Sequence, residues 1–207
     1  VLSLALLMTA GPYIVIPRVQ WASASTETPN PLVFHSPDDP GPAQLRSQFG
    51  LNELIADIDD ELERVTVLAS WVNSRWNHSG SNIPSSGNPL LILEEAAAGA
   101  SFRCVEYSVV MVGASQALDM PARVLSLKTK WAATARLGAG HVVAEIWLDS
   151  LEKWIVVDPQ FGYVFLAHDV PLNAVELGEA LMHGPSAIDV QSEKGSVGWL
   201  QKTGYLL

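Results

Sequence analysis

The stretch SFRCVEYSVVMVGASQAL, residues 101–118, decides the fold. From Val105 to Leu118 it is apolar on nearly every side of a helical projection, which is typical of a central, buried helix. Cys104, the only cysteine among the 207 residues, falls at or near the N-terminus of this helix. Met120-Pro121 ends it, because proline cannot continue a helix. The sequence thus predicts a central helix with a cysteine at its start.

Helical signals also precede this segment. An amphipathic helix is predicted between Asn52 and Trp76, because apolar residues recur there every three or four positions: Ile55, Ile58, Leu62, Val65, Ala69, Val72 and Trp76. A loop rich in serine, glycine and asparagine follows over 77–87. Asn88-Pro89 then has the form of an N-cap and a first-turn proline, and it predicts a helix to about Ala98.

After the central helix the hydrophobic period changes. The runs RVLSL (123–127), HVVAEIWL (141–148) and WIVV (154–157) are β-rich and separated by turns, so each predicts a strand. A further helix is predicted over 173–182, and no element is assigned beyond Gly184. Helices followed by strands indicate an α+β domain, in which an antiparallel sheet packs against the central helix.

The N-terminal region, residues 1–24, has the character of an export segment. Val1 to Ala10 is an uncharged apolar run, no charge precedes Arg18, and Ala22-Ser23-Ala24 offers the small-x-small pattern that signal peptidase cuts. We interpret it as a truncated signal peptide and expect an exported protein, either periplasmic, cell-surface or secreted. A membrane anchor that lacks its start and a buried N-terminal strand are the alternatives.

Residues 25–52 are expected to be a proline-rich linker or wrapping loop. Prolines at this density should not sustain a helix or an inner strand: Pro29, Pro31, Pro37, Pro40 and Pro42. The core domain is assigned to 53–170 and a C-terminal extension to 171–207. The start without methionine and the abrupt end at Leu207 suggest a fragment of a longer protein.

Composition excludes several classes of function. Acidic residues outnumber basic ones by 22 to 12, which argues against a nucleic-acid partner, because lysine and arginine neutralise phosphates. A single cysteine excludes an internal disulfide and multi-cysteine zinc or iron–sulfur sites. The sequence has no P-loop, dinucleotide fingerprint or zinc-ligand spacing, so we expect neither a metal nor an organic cofactor.

Cys104 is the candidate nucleophile. A lone cysteine is most often a small buried apolar residue, but a helix N-terminus stabilises the thiolate, which is the reactive form. Arg103 adds positive charge beside it. Free N–H groups at the start of the helix could also hold the oxyanion of a tetrahedral intermediate.

His141 is the candidate base and proton shuttle. It follows a glycine-rich approach, Gly138-Ala139-Gly140, and it begins a strongly predicted strand. The other four histidines are expected in polar segments or near turns: His35, His78, His168 and His183. A histidine at the edge of a strand is often structural, so its partner matters.

Hairpin geometry connects His141 to Asp158. Alternate residues of a strand share a face, so a two-residue connection, Asp149-Ser150, would place Asp158 directly opposite His141. A four-residue connection, Asp149 to Glu152, would place it one diagonal step away on the same face, whereas three or five residues would separate the two faces. An even connection brings imidazole and carboxylate within hydrogen-bonding reach. It would complete a Cys104–His141–Asp158 triad for acyl transfer or amide hydrolysis.

Four segments in order resemble the transglutaminase-like superfamily, from about Asp57 to Gly162. They are Cys104-Val105-Glu106-Tyr107-Ser108, similar to Cys-x-(Asp/Glu)-x-small; Asp119-Met120-Pro121-Ala122-Arg123, similar to Gly-Ile-Pro-Ala-Arg; His141-Val142-Val143-Ala144-Glu145, similar to His-Ala-Trp-Val-Glu; and Trp154 through Asp158-Pro159, similar to Trp-x-x-x-Asp-Pro. The resemblance implies a papain-like α+β fold with Cys104 as nucleophile, His141 as general base and acid, and Asp158 as the orienting carboxylate. Phe102 and Asp119 depart from the pattern, in which glycine is usual.

We therefore predict a cysteine hydrolase or acyltransferase with a protein or peptide substrate. Hydrolysis is slightly favoured over transglutaminase cross-linking, because water is abundant and nothing in the sequence marks a site for an acceptor amine. The alternative is a non-catalytic binding or scaffold domain on the same fold, since a fold does not guarantee an activity. A third interpretation is an ordinary α+β domain in which the three residues never meet.

Overall fold

The central helix, α5, spans Cys104–Ala117 in the computed structural model, which confirms the sequence prediction. The structure describes residues 33–128, 134, 140–193 and 195–196, all within one compact unit, Val33–Leu207. The expected export segment, 1–24, and Gly138-Ala139 lie outside the described residues. Eight of the fourteen residues of α5 are buried, among them Tyr107, Val110, Met111 and Ala114.

The described residues before α5 form four helices: α1 Pro40–Gln48, α2 Leu51–Ile55, α3 Glu61–Asn73 and α4 Pro89–Ala97. The prediction for α4 is confirmed, and the Asn88 side chain accepts a hydrogen bond from the Leu90 N–H at 2.9 Å. Gly113 of α5 lets α4 approach closely, because a Cβ there would lie 2.6 Å from a side-chain carbon of Pro89. The predicted loop over 77–87 is also confirmed.

The periodic run from Asn52 to Trp76 is divided between α2 and α3. The division has a local cause, because the Asp60 side chain accepts a hydrogen bond from the Glu63 N–H at 2.8 Å and caps a new helix there. The apolar spacing continues across the break. Periodicity alone therefore predicted buried positions of α3, among them Val65, Ala69 and Val72, but neither the interruption nor the buried residue of α2, Leu51.

The expectation that the proline-rich region lacks a helix is wrong for Pro40–Gln48. Pro40 and Pro42 occupy the first turn, where the backbone N–H groups have no intrahelical partner, so proline costs no hydrogen bond there. The helix is tied to the core because Leu45 is buried. Arg46 also donates a hydrogen bond to the carbonyl of Ala117, at the end of α5, at 2.7 Å.

The sheet is antiparallel throughout and confirms the α+β class. Its described strands are β1 Ala122–Lys128, β2 Gly140–Leu148, β3 Lys153–Asp158, β4 Tyr163–Ala167, β5 Val170–Pro171, β6 Asp189–Ser192 and β7 Gly195–Ser196. The order is β1-β2-β3-β4-β6-β7, and β5 pairs with β4. The predicted helix over 173–182 is confirmed as α6, Ala174–Met182.

Two apolar clusters cover the two faces of the sheet. One cluster joins the sheet to α3, α4 and α5 and contains Ala144, Ile146, Ile155 and Val157. The other joins it to α6 and contains Val143, Val156, Leu177 and Val190. Residues after 170 thus pack directly on the strands of the core. Trp76 belongs to the first cluster, and the partly buried Trp71 packs against it.

None of the helices in the described ranges combines the length and the apolar character that crossing a bilayer requires.

Candidate active site

Cys104 is the first residue of α5, and the preceding Arg103 occupies the N-cap position. Glu106 holds this turn in place. Its carboxylate accepts a hydrogen bond from the backbone N–H of Arg103 at 3.0 Å and another from the Arg103 guanidinium at 2.6 Å. Glu106 is only 3% exposed, so the ion pair fixes the residue before the cysteine by a largely buried contact.

The surroundings of Cys104 stabilise its thiolate. A hydrogen bond with the His141 side chain lowers the pKa of the Cys104 thiol from its ordinary value of 9.0, and the backbone N–H groups of Val142 and Val105 act in the same direction. Burial opposes this shift, since it disfavours the charged form. The side chain is partly exposed. An accessible thiol with a lowered pKa is the condition for nucleophilic reactivity.

His141 lies on β2 and links the thiol to a carboxylate. Its Nε2 atom is 2.6 Å from Oδ2 of Asp158. Burial favours the neutral imidazole, but hydrogen bonds with Asp158 and Cys104 outweigh it and raise the pKa of His141 to about 10. The hydrogen bond between Cys104 and His141 contributes to both shifts, which have opposite directions. Both shifts favour a thiolate–imidazolium pair.

Asp158 ends β3 and is fully buried. Its Oδ1 atom accepts hydrogen bonds from the backbone N–H groups of Gln160 at 2.9 Å and Phe161 at 3.4 Å, while Oδ2 is bound to His141. A buried carboxylate requires such partners to remain charged. The turn after β3 therefore supplies the hydrogen bonds that leave the other oxygen directed at the imidazole.

The register of the hairpin matches the four-residue alternative. Leu148 pairs with Lys153, and Ala144 pairs with Val157. Asp158 therefore stands one diagonal step from His141, on the same face of the sheet. The connection includes a 3₁₀ turn, Asp149–Leu151, and Glu152 with φ of 48°. The structure brings all three predicted residues together.

The other histidines lie elsewhere. His35 has a side chain 74% exposed and pairs with Asp39 at 3.5 Å. The remaining three are also exposed: His78, His168 and His183. All four of these histidines therefore lie at the surface.

An exposed aromatic residue, Phe161, was missed by sequence reasoning. It lies in the turn after Asp158 and is 44% exposed. Its ring stacks on Tyr163, with centroids 5.6 Å apart, and its centroid lies 6.2 Å from that of His141. The only signal in the sequence was an aromatic residue three positions after Asp158, and this spacing has no chemical meaning until the turn is known.

Trp76 presents a second feature that the sequence did not indicate. Its ring packs against Phe102 and Tyr107, which flank Cys104 in sequence, with centroids 5.7 and 4.4 Å away. The indole Nε1 atom is buried, and within the described part of the chain it has no hydrogen-bond partner. An unpaired buried donor carries a free-energy cost, which a partner would relieve.

Among the residues that the structure describes, no group of three or more histidine, cysteine, aspartate or glutamate side chains is arranged to hold a metal ion. The hydrogen-bonded series from Cys104 through His141 to Asp158 nevertheless suffices for proton transfer to and from a thiol.

Comparison with solved structures finds folds of limited similarity. A candidate cysteine protease from Cytophaga hutchinsonii is 12% identical, with a TM-score of 0.47, and the match covers 73% of this chain and 47% of that one. The periplasmic domain of TgpA from Pseudomonas aeruginosa, bound to ethylmercury, is 17% identical with a TM-score of 0.45, over 64% of this chain and 47% of that one. The chain thus spans about half the length of these proteins. No curated protein matches it in sequence.

Comparison with protein families gives a match over a larger share of the sequence. The model of the transglutaminase-like superfamily matches residues 51–159, which is more than half of the chain. The matched range contains Cys104, His141 and Asp158. On this match, the chain belongs to the transglutaminase-like superfamily.

Proposed function

We propose that this protein is a cysteine-dependent acyl-transfer enzyme that acts on carboxamide or peptide bonds. The observation that carries the proposal is the continuous hydrogen bonding from the Cys104 thiol through His141 to the buried Asp158. A purely structural cysteine needs neither a histidine nor a carboxylate behind it. This arrangement supplies a nucleophile, a proton carrier and an orienting group.

The first half of the reaction forms a thioester. The Cys104 sulfur attacks the carbonyl carbon, and the π electrons of the carbonyl move to its oxygen. When the tetrahedral intermediate collapses, the carbon–nitrogen bond breaks and His141 gives its proton to the leaving amine. Asp158 stabilises the imidazolium and fixes the orientation of the ring, because its carboxylate holds Nε2.

The second half releases the acyl group. His141, now neutral, takes a proton from water, whose oxygen attacks the thioester carbon, and the carbon–sulfur bond breaks. An amine in place of water would give a cross-linked product by the same steps. We propose hydrolysis as the main reaction, since water needs no dedicated binding site, with a protein or peptide as substrate.

Backbone N–H groups at the start of α5 are suited to stabilise the oxyanion, because they carry the positive end of the helix dipole. We also propose that the protein is exported, on the basis of the apolar residues near the N-terminus and Ala22-Ser23-Ala24.

The test is the rate of Cys104 alkylation by iodoacetamide as a function of pH. Because the pKa of Cys104 is lowered from 9.0 and that of His141 is raised to about 10, the thiolate should persist below pH 9. In His141→Ala the largest cause of the lowered pKa is removed while burial remains, so the apparent pKa should rise. Exposed His183 provides the matched control, and His183→Ala should label like the wild type.

Cys104→Ala should not label, since it removes the only thiol in the sequence. Slow labelling with an ordinary or raised pKa, indifferent to His141→Ala, would contradict the proposal. It would instead favour the non-catalytic binding or scaffold domain.

A further inference from the structure

Phe161 occupies a defined position relative to the chemistry of the site. Its ring centroid is 6.2 Å from that of His141, at an interplanar angle of 49°. The residue is 44% exposed, although Asp158, three residues before it, and Gly162, directly after it, are buried. A large apolar side chain that remains accessible beside a candidate catalytic imidazole offers a surface to whatever binds there.

The turn holds Phe161 firmly. Its backbone N–H donates to Oδ1 of Asp158, and Asn73 of α3 donates a hydrogen bond to the carbonyl of Gln160. The ring of Phe161 stacks on that of Tyr163, with an angle of 23° between the ring planes. The carboxylate that orients His141 therefore also fixes the residue that carries the aromatic ring. Such a surface is formed before a ligand arrives, so little ordering is required on binding.

The side of the substrate that meets this surface follows from the proton transfer. His141 must reach the nitrogen of the leaving amine, so that nitrogen lies against the imidazole when the bond breaks. Substituents on the nitrogen then extend beyond the imidazole, and Phe161 is an exposed apolar ring within 6.2 Å of the imidazole centroid. The acyl group, by contrast, is bonded to the Cys104 sulfur.

We propose that Phe161 forms the amine-side wall of the site and selects substrates whose leaving amine carries an apolar group; this rests on the function proposed above. A primary carboxamide releases ammonia, which has no carbon to place against an aromatic ring. A peptide bond releases an amine with a side chain attached. The substrate class is therefore a peptide or N-substituted amide with an apolar residue directly after the scissile bond.

The test uses the reverse direction, in which an incoming amine occupies the place of the leaving one. p-Nitrophenyl acetate would acetylate Cys104 and release p-nitrophenol, without requiring knowledge of the natural acyl group. The acetyl-enzyme then partitions between water and an added amine. In aminolysis the amine nitrogen attacks the thioester carbon, the carbon–sulfur bond breaks, and His141 takes the proton from the amine.

Glycinamide and phenylalaninamide are supplied together at equal concentrations of free amine. The ratio of their acetylated products measures the preference for an apolar amine. The acetylated amide and acetate are quantified by chromatography, and the reaction without Cys104 is subtracted with Cys104→Ala. The wild type should prefer phenylalaninamide about tenfold, the usual scale of one apolar contact in a site. Because the preference compares two products of the same acetyl-enzyme, changes in the overall rate cancel.

Phe161→Ala should abolish the preference, Phe161→Trp should retain it, and Leu151→Ala should behave as wild type, since Leu151 is an exposed apolar residue in the β2–β3 connection. An acetyl-enzyme with no preference, or one that Phe161→Ala leaves intact, overturns the inference while the proposed function stands. Absence of acetyl-Cys104 by mass spectrometry overturns the proposed function and the inference together.

Discussion

Two buried carboxylates on the same face of the sheet, Asp158 and Glu145, are each paired with a basic side chain, but the two pairs differ in what they can do. Asp158 is bound to His141 at 2.6 Å, and Glu145 is bound to Arg123 at 2.7 Å. His141 and Glu145 lie four residues apart on β2, and the carboxylate side chains are 0% and 4% exposed. Geometry and burial alone do not separate the two pairs.

The difference lies in the cation and its surroundings. A guanidinium does not serve as a proton carrier in the way an imidazole does, and that of Arg123 lies 4.3 Å from the centre of the Trp154 ring. The second oxygen of Glu145 accepts the N–H of Ala174 at the start of α6, at 3.3 Å. This pair joins strands to a helix. His141 can gain and lose a proton, and it contacts the thiol, so only that pair can move a proton during a reaction.

The largest effect that would test this comparison comes from making each carboxylate neutral in turn. Asp158→Asn should lower the turnover of p-nitrophenyl acetate about a thousandfold or more, because the imidazolium loses its counter-charge and the ring its orientation. It should also raise the apparent pKa of Cys104 alkylation, since His141 would hold its proton less tightly.

Glu145→Gln is the matched control, with the same chemical change at the same depth on the same face. Its alkylation profile should follow that of the wild type. An equal loss of turnover in both variants would mean that the two carboxylates act through the stability of the sheet, and the distinction drawn here would fail.

Breaking the Arg123–Glu145 pair should affect the stability of the protein and not the reactivity of Cys104. Arg123→Met removes the cation and leaves the Glu145 carboxylate buried, which should lower the free energy of unfolding by about 3 kcal/mol. Urea titration followed by tryptophan fluorescence measures it. The profile of Cys104 alkylation, recorded below the urea transition, should not move.

The double variant Arg123→Met/Glu145→Gln completes the cycle. Removing the buried charge should restore part of the lost stability, because a neutral amide costs less to bury than an unpaired carboxylate. The two residues are not coupled if the double variant is less stable than Arg123→Met by the same amount that Glu145→Gln alone destabilises the wild type.

The sequence predicted the parts of the site that depend on short intervals. Cys104 at a helix start follows from the apolar run behind it, and His141 at a strand start follows from alternation. The even connection between β2 and β3 left two registers open, and only the paired strands distinguish them. The four-residue register depends on Glu152 adopting a positive φ, which side-chain chemistry does not favour there.

Other features required contacts between distant segments. α1 is held in place because Leu45 and Arg46 reach α5, a contact that the sequence does not show. The turn that carries Phe161 is bound by Asn73, whose side chain donates a hydrogen bond to the carbonyl of Gln160, 87 residues later in the sequence. The second face of the sheet could not be predicted either, because β6 contributes only a short strand whose partner, β4, precedes it by more than 20 residues.

The smallest predicted effect concerns a third ion pair, in which exposure to solvent reduces the contribution of the pair to the free energy of unfolding. Lys153 of β3 binds Glu176 of α6 at 2.7 Å, but the carboxylate side chain is 39% exposed. Water solvates both charges when the pair is broken, so Lys153→Gln should lower the free energy of unfolding by about 0.5 kcal/mol. Raising the salt concentration should reduce this difference further. A loss comparable to that of Arg123→Met would mean that burial of the remaining carboxylate does not determine the cost of breaking these ion pairs.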